Sequence, residues 1–441
     1  MPRILVLATT TGYQTRSFGE AAERLGVELV FATDRCDMID DPWRDGAIPI
    51  RFYDEDRSVA SIVESARLRP LDGILVVGDR PTVIAARVAQ ALGLPGHPPE
   101  AAAIARNKEM MRTRLRDTGL PVPSLMRFSI GDEPLGISQL PVSYPCVVKP
   151  AALSGSRGVM RADNPKELAA AFERLRALLR SPDVRSERND ANDTVLIESF
   201  IPGREYAIEA ILNHGALHVL AVFDKPDPLD GPFFEETIYV TPSAAAPKVQ
   251  EAIVRGVAAA TAAIGLHHGP IHAECRVHPS TGEVFVLEVA ARPIGGLCAR
   301  VLRFAGTREG IRDPNSPITL EDLLLLNALG EDPARHRRER GAAGVMMIPI
   351  PRRGFLRGVN GVEAAKAVPQ IEDVRITAKQ DQLLVPLPEG ASYLGFIFAR
   401  AADTIIVERA LRDALMRLAF VIDPELPVLT SSQTRYNPSH G

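Results

Sequence analysis

The sequence predicts an α/β protein with a parallel N-terminal unit, antiparallel sheets in its middle and a C-terminal α/β unit. Three observations predict it. Short apolar runs at 3–8, 27–33 and 73–77 alternate with helical patterns near 17–25, 58–67 and 81–92, the order of a parallel sheet with crossover helices. Strand-like runs then dominate 194–222 and 270–290, the latter a pair joined by a turn of Pro279, Ser280, Thr281 and Gly282. A last strand-rich unit at 344–423 includes a helical pattern over 403–420.

A chain of 441 residues exceeds one ordinary core, and roughly two to four packed units are expected. The expected division is 1–105, then 106–335 with a mobile lid over about 145–200, then 340–425, then a polar tail at 427–441. The composition, 46% apolar and 24% charged, is that of a globular protein. Net charge is −4 with acids and bases interspersed, and no basic stripe offers a nucleic-acid surface. The apolar start, Met1 to Ala8, is too short for a signal peptide's core or a membrane span, so a cytoplasmic protein with no membrane partner is expected. Cys36, Cys146, Cys275 and Cys298 form no CxxC pair and read as reduced thiols.

Taken in order, the run Asp72 to Val77 is a strand that delivers Gly78 and Asp79 to its carboxyl end, the edge at which open α/β sheets bind ligands. A helix follows over 107–117, stopped by Gly119 and Pro121. Tyr144 to Pro150 is a buried strand carrying Lys149, whose ammonium needs an anion such as phosphate. Ser154, Gly155, Ser156, Arg157 and Gly158 form a loop whose backbone N–H groups could cover phosphates, although the chain has neither a Walker motif nor GxGxxG. Asn164 caps a helix running to about Leu179. The polar stretch 181–193 reads as an exposed loop. Helices are expected over 247–264 and 319–329, and a solvated linker over 335–340.

The hairpin at 272–292 carries the most chemistry. With its turn centred on Thr281, opposed residues sum to 562, so Glu274 faces Glu288, and alternation puts Arg292 on their side. Opposed carboxylates lie about 5 Å apart at Cβ and repel by roughly 3 kcal/mol at an effective dielectric of 20. A proton, Arg292 or a divalent cation would offset that; Mg²⁺ suits one or two carboxylates plus phosphate oxygens. A solvated polar sheet face is the alternative. Lys108 opens a helix, where a cation is unfavourable without a nearby negative charge. Glu198 and Glu205 flank a Pro-Gly bend. His267, His268 and His272 lack the spaced partners of a zinc site, and Cys298 lacks a visible base.

In this order the pieces resemble the ATP-grasp superfamily over residues 70–305. The resemblance implies that Lys108 and Lys149 contact the phosphates of ATP, that the 154–158 loop closes over them, and that Glu198, Ser199, Phe200 and Ile201 hold adenine. Glu205 would hold the ribose, and Glu274 and Glu288 would hold Mg²⁺, for which Mn²⁺ could substitute. Phe223-Asp224-Lys225, the stretch 234–243, Glu288-Val289-Ala290-Ala291-Arg292 and the unit around Gly395 to Arg400 are similar to L-amino-acid ligases, which make dipeptides.

That resemblance implies an ADP-forming carboxylate–amine ligase working through an acyl phosphate, with Arg292 as the catalytic cation and Glu236, Tyr239, Asp79, Gly295 and Gly296 against small-molecule substrates, amino acids above all. A homodimer is the assembly to test for. A carboxylase using bicarbonate and a nucleotide sensor without catalysis are the alternatives. Two departures stand out. Ala290 replaces the Asn that often completes the metal shell, and Gly296 replaces a bulky aromatic, which predicts a roomier amino-acid pocket.

Overall fold

A computed structural model describes residues 1–9, 13–34, 47–133, 136, 143–306 and 317–425. The N-terminal strands form a parallel sheet in the order Ile48–Ile50, Glu28–Asp34, Arg3–Ala8, Gly73–Val77. A second sheet, which includes the expected lid region, is antiparallel, in the order Leu125–Ser129, Thr194–Ser199, Cys146–Pro150, Met160–Ala162. The helix Pro165–Leu179 covers it, capped by Asn164 as expected.

The largest sheet has eight strands, in the order Val284–Ala290, Gly269–Val277, Arg204–Asn213, Ala216–Asp224, Ile238–Thr241, Ala342–Ile348, Gly395–Ala401, Ile371–Ile376. The C-terminal strands therefore extend the sheet that carries the acidic hairpin. One core joins Ile4 and Leu75 of the parallel sheet to Phe223, Val345 and Phe398 of this one. The expected boundary near 335–340 interrupts neither the sheet nor the core.

Several elements differ from expectation. Residues 181–193 are folded, with a helix Pro182–Ser186 and a 3₁₀ turn Asp190–Asp193, because Val184 packs into the lid core. Residues 335–340 are not a linker: His336–Arg338 is a strand paired with Arg303–Gly306. The last helix stops at Leu415 rather than Phe420, because Ala419–Asp423 pairs with Gly354–Asn360. Cys36 and the tail 427–441 lie outside the described residues. Cys146, Cys275 and Cys298 are buried free thiols. Among the described residues, no helix is long and apolar enough to cross a membrane.

Candidate active site

Strand alternation builds the site. Between Arg204–Asn213 and Gly269–Val277, the pairs Glu205/Arg276, Ala207/Glu274 and Glu209/His272 are directly opposed on one face. The intervening Tyr206, Ile208, Ala273 and Cys275 go into the core on the other. On the outer strand Glu274 faces Glu288 and His272 faces Ala290. The 562 register holds at both pairs. Beyond Glu274 it becomes 561, because a bulge puts one extra residue on the Val284–Ala290 strand. Leu287 and Glu288 consequently both line the cavity.

That cavity, of about 590 Å³, lies between the carboxyl end of the parallel sheet, the lid and the eight-stranded sheet. It is lined by Asp79, Lys108, Lys149, Ser154, Gly155, Ser156, Glu198, Ser199, Phe200, Ile201, Glu205, Glu236, Tyr239, Glu274, Glu288, Arg292, Gly295 and Gly296, which brings together all but two of the expected residues. The exceptions are Arg157 and Gly158. Arg157 donates to the carbonyl of Glu389 (2.8 Å) and the Gly158 N–H to that of Pro388 (2.8 Å), so these two residues dock the loop on the C-terminal unit.

Each expected cation has a protein anion. Lys149 pairs with the buried Glu198 at 2.6 Å, and Arg112 holds the same carboxylate at 3.0 Å. Burial lowers Lys149 to about 8 even with Glu198 beside it. Burial alone would raise Glu198, but Arg112 and then Lys149 hold it below its ordinary value. Both Glu198 oxygens serve these cations, a different task from the adenine contact expected of that side chain. Lys108 donates to the carbonyl of Leu153 (2.8 Å) and lies 3.4 Å from Glu288. Arg292 makes a two-point pair with Asp79, at 2.9 and 3.1 Å, so the expected catalytic cation and an expected substrate contact hold each other. The guanidinium outweighs burial and keeps Asp79 below the ordinary carboxylate value.

The sequence reading assigned no role to Lys225, which sits at the centre of the acids. Its ammonium donates to Glu205 at 2.8 Å, to Glu274 at 3.0 Å and to Glu236. Burial alone would lower its pKa, but the three carboxylates raise it well above the ordinary lysine value. Burial and neighbouring Glu274 push Glu236 up to about 7, while Lys225 overrides burial to hold Glu274 well below its usual value. Arg276 was also missed. It donates to Glu205 (2.9 Å) and to the carbonyl of Ile201 (2.9 Å), fixing the bend between the lid and the eight-stranded sheet. Fully buried Glu209 accepts from the Ile294 N–H (3.1 Å) and pairs with His272 (3.1 Å). Burial would lower His272, but Glu209 and Glu274 bring it to about 9. Only the strand spacing 205, 207, 209 hinted at these partners.

Gly296 has φ +63, and a Cβ there would meet the Phe396 ring at 3.0 Å. The space beside Gly296 is bordered by an aromatic ring from another strand. Tyr393, 6.3 Å from Phe396 between ring centres, continues this wall.

Family models match this chain in three places: an ATP-grasp N-terminal domain over residues 19–96, an ATP-grasp domain over 142–301, and an L-amino acid ligase C-terminal domain over 346–423. The chain belongs to the ATP-grasp superfamily, and its C-terminal part matches the L-amino acid ligase C-terminal domain. It is an ATP-grasp carboxylate–amine ligase by class. The L-amino acid ligase of Bacillus licheniformis has the same architecture, with a TM-score of 0.76 and 26% identity over 96% of this chain and 99% of that one. An uncharacterized protein of Sinorhizobium fredii is 26% identical, covering 92% of this chain and 81% of its own. Alanine–anticapsin ligase of Bacillus subtilis is 26% identical over 55% of this chain, which spans only 52% of that relative. The C-terminal match begins at residue 346, inside the strand Ala342–Ile348, so this ATP-grasp ligase builds one sheet from two matched regions.

Proposed function

We propose that this ATP-grasp ligase activates the carboxylate of one amino acid as an acyl phosphate and joins it to the amine of another, releasing ADP and phosphate. One observation carries the reading: the opposed acids Glu274 and Glu288 share a single cavity with Lys108 and Lys149 towards the lid and Arg292 towards the parallel sheet. This is the charge pattern that phosphoryl transfer needs, anion-binding cations around a carboxylate pair able to hold a divalent ion. The Glu274 and Glu288 donor set fits Mg²⁺, being oxygen-only and facing one cavity. Glu274 and Glu288 would hold the ion, which supplies charge neutralisation on the β- and γ-phosphates.

The remaining work falls to side chains in place. Lys149, anchored by Glu198, and Lys108, anchored by the Leu153 carbonyl, present ammonium groups to the phosphates. Ser154, Gly155 and Ser156 cover that end and exclude water. Arg292, aimed by Asp79, faces the negative charge that develops on the reacting carboxyl group. Tyr239, Tyr393 and Phe396 enclose the amino-acid end, and a cytoplasmic setting keeps the thiols reduced. The relative named alanine–anticapsin ligase supports an amino acid as one partner.

A pairwise amino-acid matrix, read by ADP release and product mass, tests this reading. Hydroxylamine in place of the amine should trap an ATP-dependent acyl hydroxamate. Release of AMP and pyrophosphate overturns the acyl-phosphate route.

A further inference from the structure

The lid and the C-terminal unit touch at the rim of the cavity, one residue away from the groups that line it. Ser154, Gly155 and Ser156 line the cavity, and the next two residues do not. The Arg157 Nε donates to the Glu389 carbonyl at 2.8 Å, and the Gly158 N–H donates to the Pro388 carbonyl at 2.8 Å. Arg174, on the lid helix Pro165–Leu179, holds both carboxylate oxygens of Glu389, one of them at 2.9 Å. A short step further along the C-terminal segment, Ala391, Ser392 and Tyr393 line the same cavity. The loop has no slack against its own lid: a Cβ on Gly158 would come within 2.7 Å of Leu175.

We propose that Glu389 is a positioning residue whose carboxylate, held by Arg174 of the lid helix, seats the carbonyls of residues 388 and 389 against the phosphate-covering loop and so ties that loop to the amino-acid wall, so that closing one end of the cavity closes the other. The inference rests on the ligase reading above and adds to it a coupling device. In the productive step the amine nitrogen forms the C–N bond, the carbonyl carbon–oxygen bond to phosphate breaks, phosphate leaves, and the amine loses a proton to solvent. With water as nucleophile the same bond breaks and the carboxylate is regenerated, so ATP is consumed without an amide. A joined roof and wall favour the first outcome because the amine site is sealed whenever the phosphate end is. The clamp is half-exposed, with Arg174 at 44% and Glu389 at 35%, so its removal should leave the fold intact and shift the partition modestly.

The test uses full-length Glu389→Ala, Glu389→Gln, Arg174→Ala and the charge swap Arg174→Glu/Glu389→Arg. The phosphate-to-amide ratio should rise about two- to fivefold in the single variants, the size an exposed ion pair supports. KM for the amino acids should rise while kcat for ADP release changes little, and the swap should restore the ratio. An unchanged ratio in variants that melt like the wild type overturns the proposal. Hydrogen exchange with a non-hydrolysable ATP analogue and Mg²⁺ gives a reading independent of turnover. In the wild type, 151–159 and 387–393 should gain protection together, and in Glu389→Ala only the first should. Equal protection in both proteins overturns the coupling. A wild type that shows this joint protection yet releases no ADP with any amino-acid pair overturns the ligase reading instead.

Discussion

Glu274 and Glu288 stand directly opposite each other on the hairpin, yet each answers to a different cation: Lys225 lies 3.0 Å from Glu274, and Lys108 lies 3.4 Å from Glu288. The repulsion expected of two facing carboxylates is relieved by two cations, Lys225 from just past the end of the strand Ala216–Asp224 and Lys108 from the helix Lys108–Asp117. Arg292, one of the three neutralising partners the sequence offered, is paired with Asp79.

Glu288→Gln should keep the fold, because the amide relieves repulsion and leaves only the Lys108 contact weakened. Turnover should fall by about 10²–10³, the range for losing one preorganised electrostatic contact to the transition state. Thermal melting and steady-state kinetics check both halves. A variant with full activity and ordinary Mg²⁺ dependence removes Glu288 from the proposed metal pair.

Lys225→Met leaves Glu205, Glu236 and Glu274 without their shared ammonium. Removing one partner of a buried charge cluster costs about 3–5 kcal/mol, so chemical denaturation should show a large loss of stability. Because the three acids can bring ligand atoms within 4.8 Å, added Mg²⁺ or Mn²⁺ should restore part of it. Stability equal to wild type without metal contradicts the central role given to Lys225.

ATP affinity should depend on pH through Lys149. Burial lowers this lysine to about 8, so its ammonium is charged at pH 7 and loses its proton as pH rises through that value. The charged form binds phosphate, so the Kd for ATP should increase above about pH 8, by up to about tenfold per pH unit. Titration calorimetry across this range checks it, with Lys149→Arg as the control that stays charged. A flat profile for the wild type shows that Lys149 does not titrate there or does not touch the nucleotide.

Gly296→Trp should disturb the backbone before it narrows the pocket. Its φ of +63 costs a non-glycine residue about 1–2 kcal/mol, and even a Cβ meets the Phe396 ring at 3.0 Å. Phe396→Leu is the cleaner probe of pocket size. It keeps most of the buried volume while removing the ring, and it should broaden acceptance of bulky amino acids in the pairwise matrix. An unchanged substrate range in a folded Phe396→Leu protein takes this wall out of substrate selection.

The order of elements, the facing of Glu274 and Glu288, the helix cap at Asn164, and the presence of Gly78 and Asp79 at a strand's carboxyl end were all legible in the sequence. Those features depend on neighbours a few residues apart, and periods of 2.0 and 3.6 report them directly. What completes the site was not legible. Arg112 lies 86 positions from Glu198, Lys225 lies 49 from Glu274, and Asp79 lies 213 from Arg292. No local pattern distinguishes a lysine that will sit among three carboxylates from one that will face water. The bulge that admits Leu287 and the ring that borders the space beside Gly296 likewise arise only when strands distant in sequence are laid side by side. The sequence determined which charges the chain carries and which face of its own strand each occupies. Tertiary structure decided which charge answers which, because burial makes an unpaired ion costly and only the packed fold brings its partner within reach.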